Sequence, residues 1–246
     1  MNVLTIASQK GGTGKTTTAA ALAQAAASAR RSVLAIDLDP QGNLSFMLAA
    51  DQTQPGAYSL ITGAPADQLI QHTAQGVDVV PGSPDLATLK TKAASALRLQ
   101  QALEKVQGYD LVIIDTPPTV GELTFNALQA SSHLLIPLET DTASLQGLYQ
   151  LTDIARQMQH SNPRLQIVGT ILTRYDNRPR INRQLRDVIA DKGKEAGVPL
   201  LGTIRAGVAV REAQALQLSL FEYAPHSKPA QDYKQLFKQL YKIMEV

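Results

Sequence analysis

Residues 10–17 read Lys10-Gly11-Gly12-Thr13-Gly14-Lys15-Thr16-Thr17, between an apolar, β-branched run at 3–8 and an alanine-rich stretch at 14–29. Strand, glycine-rich turn and helix in that order leave few folds open, because the turn must deliver backbone N–H groups to the mouth of a buried strand. Gly14-Lys15-Thr16 is the end of a phosphate-binding loop. The general pattern also wants a glycine five places before Gly14, and that place is Gln9. The loop is therefore a variant, with its glycines moved toward Lys15 and a second lysine, Lys10, at its mouth.

The rest of the chain repeats the alternation. Apolar runs at 3–8, 32–37, 77–80, 111–115, 133–138, 167–173 and 200–204 read as strands. Helical patterns lie near 14–29, 85–107, 122–130, 142–159, 179–196, 208–217 and 229–244. Nearly continuous hydrophobic strands imply cover on both faces. The reading is an α/β, doubly wound, mostly parallel sheet flanked by helices, with 1–246 expected to form one domain.

Composition narrows the function by exclusion. The absence of cysteine rules out disulfides, thiolate metal sites and iron–sulfur ligation. No run reaches the roughly 20 apolar residues of a membrane span, and Met1 is followed almost at once by a strand, so a signal peptide is not expected. Those features point to a cytoplasmic location. A net charge of +2 argues for no nucleic-acid partner by itself. His72, His133, His160 and His226 have neither metal-ligand nor triad spacing.

In the loop, Gly11, Gly12, Thr13 and Gly14 would curl N–H groups around phosphates, with the helix N-terminus adding positive potential. Lys15 would reach the β- and γ-phosphates, Thr16 would ligate Mg²⁺, and Thr17 completes the set. The run 111–115 ends in Asp115, a magnesium-side carboxylate that the cation would compensate in a buried sheet. Asp37 and Asp39 end another run and share a side if that strand continues.

The loop at 10–17, Asp37-Leu38-Asp39-Pro40-Gln41-Gly42-Asn43 and Asp115-Thr116-Pro117-Pro118 together resemble the ParA/MinD class of deviant Walker ATPases. Leu172-Thr173-Arg174-Tyr175-Asp176, Val210-Arg211-Glu212-Ala213 and Tyr223-Ala224-Pro225 are similar to ParA-type partition proteins, so the resemblance covers nearly the whole chain. It implies a phosphate-loop ATPase fold with ATP and Mg²⁺ as cofactors and slow, partner-stimulated hydrolysis. It also implies that Lys10 crosses a nucleotide-sandwiched homodimer to the partner's ATP. Asp39 then helps orient the attacking water and stands with Thr16 and Asp115 around the metal. Pro117 and Pro118 fall where the chain would respond to the γ-phosphate. The catalytic set is Lys10, Lys15 and Asp39.

Such ATPases are expected to bind double-stranded DNA without sequence preference, as ATP dimers on the nucleoid, with a ParB-like adaptor stimulating hydrolysis. Arg174, Arg178, Arg180, Arg183 and Arg186 crowd residues 174–186, and the helix expected there sets Arg180, Arg183 and Arg186 opposite an apolar face of Ile181, Leu185, Val188 and Ile189. Lys234, Lys238 and Lys242 recur every four residues beside the stripe Tyr233, Leu236, Phe237, Leu240, Tyr241 and Met244. Arg211 is a further DNA candidate; Arg205 belongs either with it or beside the nucleotide base. Two alternatives stand beside this reading. One is a MinD-like membrane-surface ATPase using the 229–244 helix, and the other a metabolic ATP-dependent ligase or reductase of the same fold. No extra N-terminal DNA-binding domain precedes the loop, so operator autorepression is not expected.

Overall fold

The computed structural model describes residues 1–89 and 97–244. Its strands are β1 (Asn2–Ile6), β2 (Val33–Asp37), β3 (Gln71–His72), β4 (Asp78–Val80), β5 (Leu111–Asp115), β6 (His133–Leu138), β7 (Gln166–Tyr175) and β8 (Leu200–Arg205). The helices are α1 (Lys15–Ser28), α2 (Asn43–Met47), α3 (Ala57–Thr62), α4 (Arg98–Leu103), α5 (Glu122–Ala130), α6 (Thr142–Met158), α7 (Arg180–Glu195), α8 (Val208–Ala215), α9 (Leu220–Tyr223) and α10 (Lys228–Ile243).

The strands form one sheet in the order β3-β4-β2-β5-β1-β6-β7-β8, parallel throughout except for β3 against β4. Burial explains the run of apolar strand residues: β2, β5 and β6 are buried at every position, with helices covering both faces. One face packs α1 and α10 through Leu22, Ala26, Tyr233, Leu236, Phe237 and Leu240. The opposite face carries α3, α4 and α5 over one half of the sheet and α6 and α7 over the other. Alanines along α1 are a packing device: ten of its residues are buried, and small side chains let the helix approach both sheet and α10.

Some expectations change. The helix expected at 85–107 is a 3₁₀ turn at Pro84–Thr88 and the short α4, while 90–96 lie outside the described residues. Two-residue β3 and the short α2, α3 and α9 leave no sequence signal, because each spans fewer than two periods of its pattern. On α7, the apolar face is incompletely used: Ile189 is buried, but Ile181 and Val188 are exposed. The apolar stripe of α10 is turned into the core, with only Tyr241 half-buried, which leaves it no free face for lipid. Among the described residues no helix is long and apolar enough to cross a membrane.

Candidate nucleotide site

Sheet order builds the site. β5 lies between β2 and β1, so the phosphate loop after β1 sits beside the ends of two acidic strands. Asp115 pairs in register with Asp37 on one side and Ile6 on the other. The Thr116 hydroxyl donates to the Ile6 carbonyl at 2.9 Å, locking the turn after β5 to the strand that feeds the loop.

The loop takes the conformation its glycines allow. Gly14 has φ +81°, a left-handed geometry in which a side chain would be strained, and its added Cβ would lie 3.3 Å from Thr173. From below, the Thr173 hydroxyl donates to the Thr13 carbonyl at 2.7 Å, and Ser8 and Thr13 share a 2.5 Å hydroxyl contact. Lys15 is buried, its ammonium donating to the Lys10 carbonyl at 3.3 Å. Burial lowers the Lys15 pKa, and the carboxylates of Asp115 and Asp39 act against that.

The acids differ in their ties. Asp37 is fully buried and accepts from the Asp39 N–H at 3.1 Å and from the Ser45 N–H and hydroxyl at 2.9 and 2.7 Å. Burial nevertheless raises its pKa to about 6. Asp39 does not continue the strand; it caps a turn by accepting from the Gln41 N–H at 3.0 Å. Gly82 closes over both: a Cβ there would approach the Asp39 carbonyl to 2.8 Å and the Asp37 carboxyl carbon to 2.9 Å.

Asp115 is fully buried, and neither carboxylate oxygen has a hydrogen-bond partner among the described residues. Burial, and then the charge of Asp37, push its pKa well up, while the nearby Thr16 hydroxyl and Lys15 pull it down. An orphaned carboxylate next to a hydroxyl and an ammonium is incomplete without a cation. These residues fit magnesium bound with a nucleotide phosphate.

A cavity of about 540 Å³ opens beside the loop, lined among others by Thr17, Arg205, Val208, Arg211, Gln214 and Tyr233. Gln214 donates to the Thr17 hydroxyl at 3.0 Å, joining α8 to the first turn of α1. Arg205 is fixed at its rim by Asp232, at 2.7 Å. Gln214 went unnoticed in the sequence, since nothing in a lone helical glutamine marks it.

Comparison with known proteins agrees with this geometry. A family model described as an AAA domain matches residues 1–167. The chromosome-partitioning ATPase Soj of Thermus thermophilus is 34% identical over 96% of this chain and 94% of its own length. The chromosome partitioning protein ParA of Caulobacter vibrioides is 36% identical over 98% and 94%. The chain belongs to the ParA/Soj family of partition ATPases. Among solved structures, cobyrinic acid a,c-diamide synthase from Mycobacterium smegmatis, bound to an ATP analogue and magnesium, superposes with a TM-score of 0.85. That enzyme is 30% identical, with 100% of this chain and 96% of its own covered.

For a ParA/Soj-family chain the positions of the cations outside the loop carry the most information. Lys10 turns to the segment between β6 and α6, donating to Glu139 at 2.8 Å and Asp141 at 2.5 Å. Those hydrogen bonds, Asp141 first, raise its pKa. Burial works against the Asp141 carboxyl, yet the bonds from Lys10 and Ser144 hold it below the ordinary value. Arg174, expected among the DNA-contacting arginines, lies over the loop, bonded to the Gly12 carbonyl and to Glu139. Arg178 pairs with Asp176, Arg186 with Asp187, and Arg183 donates to the carbonyls of Asn177 and Arg178. Arg180 and Arg211 are exposed and, like Lys238, have no ion pair among the described residues. Lys234 sits 5.4 Å over the Phe221 ring.

Proposed function

We propose that this chain binds ATP with Mg²⁺, pairs as a nucleotide-sandwiched homodimer, and holds non-specific double-stranded DNA in that state until an adaptor stimulates hydrolysis. The observation that carries the nucleotide reading is Asp115: a buried carboxylate whose oxygens have no hydrogen-bond partner among the described residues, beside Thr16 and Lys15 at the mouth of a glycine loop. When bound, magnesium supplies positive charge to the phosphate oxygens.

The chain's own groups then divide the work. The loop N–H groups and Lys15 bind phosphate, and Thr16 and Asp115 face the metal. Asp39, held on the turn after β2, orients the attacking water. Lys10 cannot serve as a second lysine for its own loop while it is bound to Glu139 and Asp141, and its side chain is 41% exposed. An exposed cation at the loop mouth suits delivery to a second protomer, where it would neutralise charge on the transferring phosphoryl group as arginine fingers do.

For DNA, the unpaired Arg180, Arg211 and Lys238 are the readiest phosphate contacts, and dimerisation doubles them on one particle. Plasmid, chromosome and protein assembly all fit as cargo, positioned by repeated capture and release. The test is DNA binding by the Asp39→Ala variant in ATP and in ADP. Tight, salt-sensitive binding in ATP alone is expected. Equal binding in the two nucleotides overturns the switch.

A further inference from the structure

Glu139 and Asp141 belong to no motif in the chain, yet they take two of the three ammonium donors of the lysine on which the dimer reading depends. We propose that these two carboxylates are positioning residues that hold Lys10 within its own chain, so that association of two protomers must first draw it out. The inference rests on the trans role of Lys10 given above.

The carboxylate pair is built independently of Lys10. Asp141 caps α6, accepting from the Ser144 N–H at 2.8 Å. The Glu139 N–H donates to the Ser144 hydroxyl at 3.2 Å, so one serine fixes both residues. The second Glu139 oxygen is occupied by Arg174, whose guanidinium also reaches the Gly12 carbonyl. Glu139 thus links the two cations nearest the loop and ties the start of α6 to the loop backbone. Opposite charges reach Lys10 from Glu139 and Asp141, while Arg174 competes for Glu139.

The hold is of the right strength for a gate. Lys10, Glu139 and Asp141 are 41%, 24% and 36% exposed, so water screens both ion pairs. Pairs of this kind shift an equilibrium by roughly a few-fold each. A triphosphate, with more charge than two carboxylates, can outcompete them once a second protomer brings it within reach. A lone protomer keeps its lysine occupied.

The experiment has two arms, both on the full chain with Glu139→Gln and Asp141→Asn combined. Asparagine caps helices as well as aspartate, which preserves α6; Glu139→Gln alone serves as a second variant with a smaller effect in the same direction. In the first arm, the nucleotide-free protein is labelled with an amine-reactive reagent and followed by peptide mass spectrometry. Labelling of Lys10 should rise several-fold while Lys238 is unchanged. In the second, sedimentation in ATP and Mg²⁺, in the Asp39→Ala background, measures self-association. The midpoint protein concentration should fall by roughly tenfold or more, because each dimer releases two lysines and each leaves two pairs. Unchanged Lys10 labelling overturns the hold, and increased labelling with an unmoved midpoint overturns its role as a gate. A chain that stays monomeric in ATP in every background would overturn the dimer reading itself, and the gate with it.

Discussion

The molecule has two groups of cations, and they are wired differently. Around the loop, Lys10 and Arg174 find their partners more than thirty residues away or across the sheet, at Glu139, Asp141 and Gly12. On α7 and the turn before it, Arg178, Arg183 and Arg186 bond to Asp176, Asn177, Arg178 and Asp187, all within six residues. The first arrangement exists only when the sheet is assembled, so changing one contact is felt by the loop, the acids and α6 together. The second is a set of exposed local pairs, each weak. One region is held together by long-range tertiary contacts, the other by contacts local in sequence.

The largest expected effect tests the wired side. Lys10→Ala should lower hydrolysis by roughly 10³-fold, in the range of trans cationic fingers, while nucleotide binding through Lys15 and Thr16 is retained. Hydrolysis at the normal rate with ATP binding intact would show that Lys10 acts only as a surface charge.

Next is the acid pair. The folded-state pKa of Asp37, about 6, lies above that of an unfolded aspartate. The group therefore favours folding below pH ~4, and that contribution is lost as pH rises toward about 6, on the order of 2–3 kcal/mol. The thermal midpoint of the nucleotide-free protein should fall over that interval, and Asp37→Asn should flatten the decline. An identical pH profile in the variant would place the destabilising charge elsewhere.

Gly82→Ala comes third. Its methyl group would press on the backbone of Asp39 and the carboxyl of Asp37, at about 2 kcal/mol for overpacking a rigid site. A chemical-denaturation midpoint equal to that of the parent would mean that the turn after β2 is looser than its packing implies.

The smallest effect belongs to the locally paired side. Asp176→Asn removes the charge that Arg178 now neutralises, and should strengthen ATP-dependent DNA binding by roughly a few-fold while steepening its salt dependence. Weaker binding would place this turn away from the DNA.

Much of this was legible in the chain. Seven apolar runs marked the strands because parallel strands covered on both faces need no polar alternation. The loop, Asp37, Asp39 and Asp115 stood out because phosphate and magnesium chemistry restricts residue type at fixed places after a strand. The arginines at 174–186 were legible as charge but not as partners: nothing local distinguishes Arg174, which lies over the loop, from Arg178, which pairs beside itself. The helix expected at 85–107 looked continuous because helix-forming composition there outlasts the regular structure, which among the described residues is a 3₁₀ turn and α4.

By itself, then, the sequence determined the chemistry available: a glycine loop, two lysines, three strand-end carboxylates and a surplus of exposed cations. Only the tertiary structure decided which of these meet. Placing β5 between β2 and β1 sets Asp115 against Asp37 and beneath Lys15, and it leaves the Asp115 carboxylate without a hydrogen-bond partner among the described residues. Placing β6 next to β1 brings the start of α6 to the loop mouth, where Glu139 and Asp141 take hold of Lys10. Strand order is a matter of which buried faces pack together over long chain separations, and no local pattern records it.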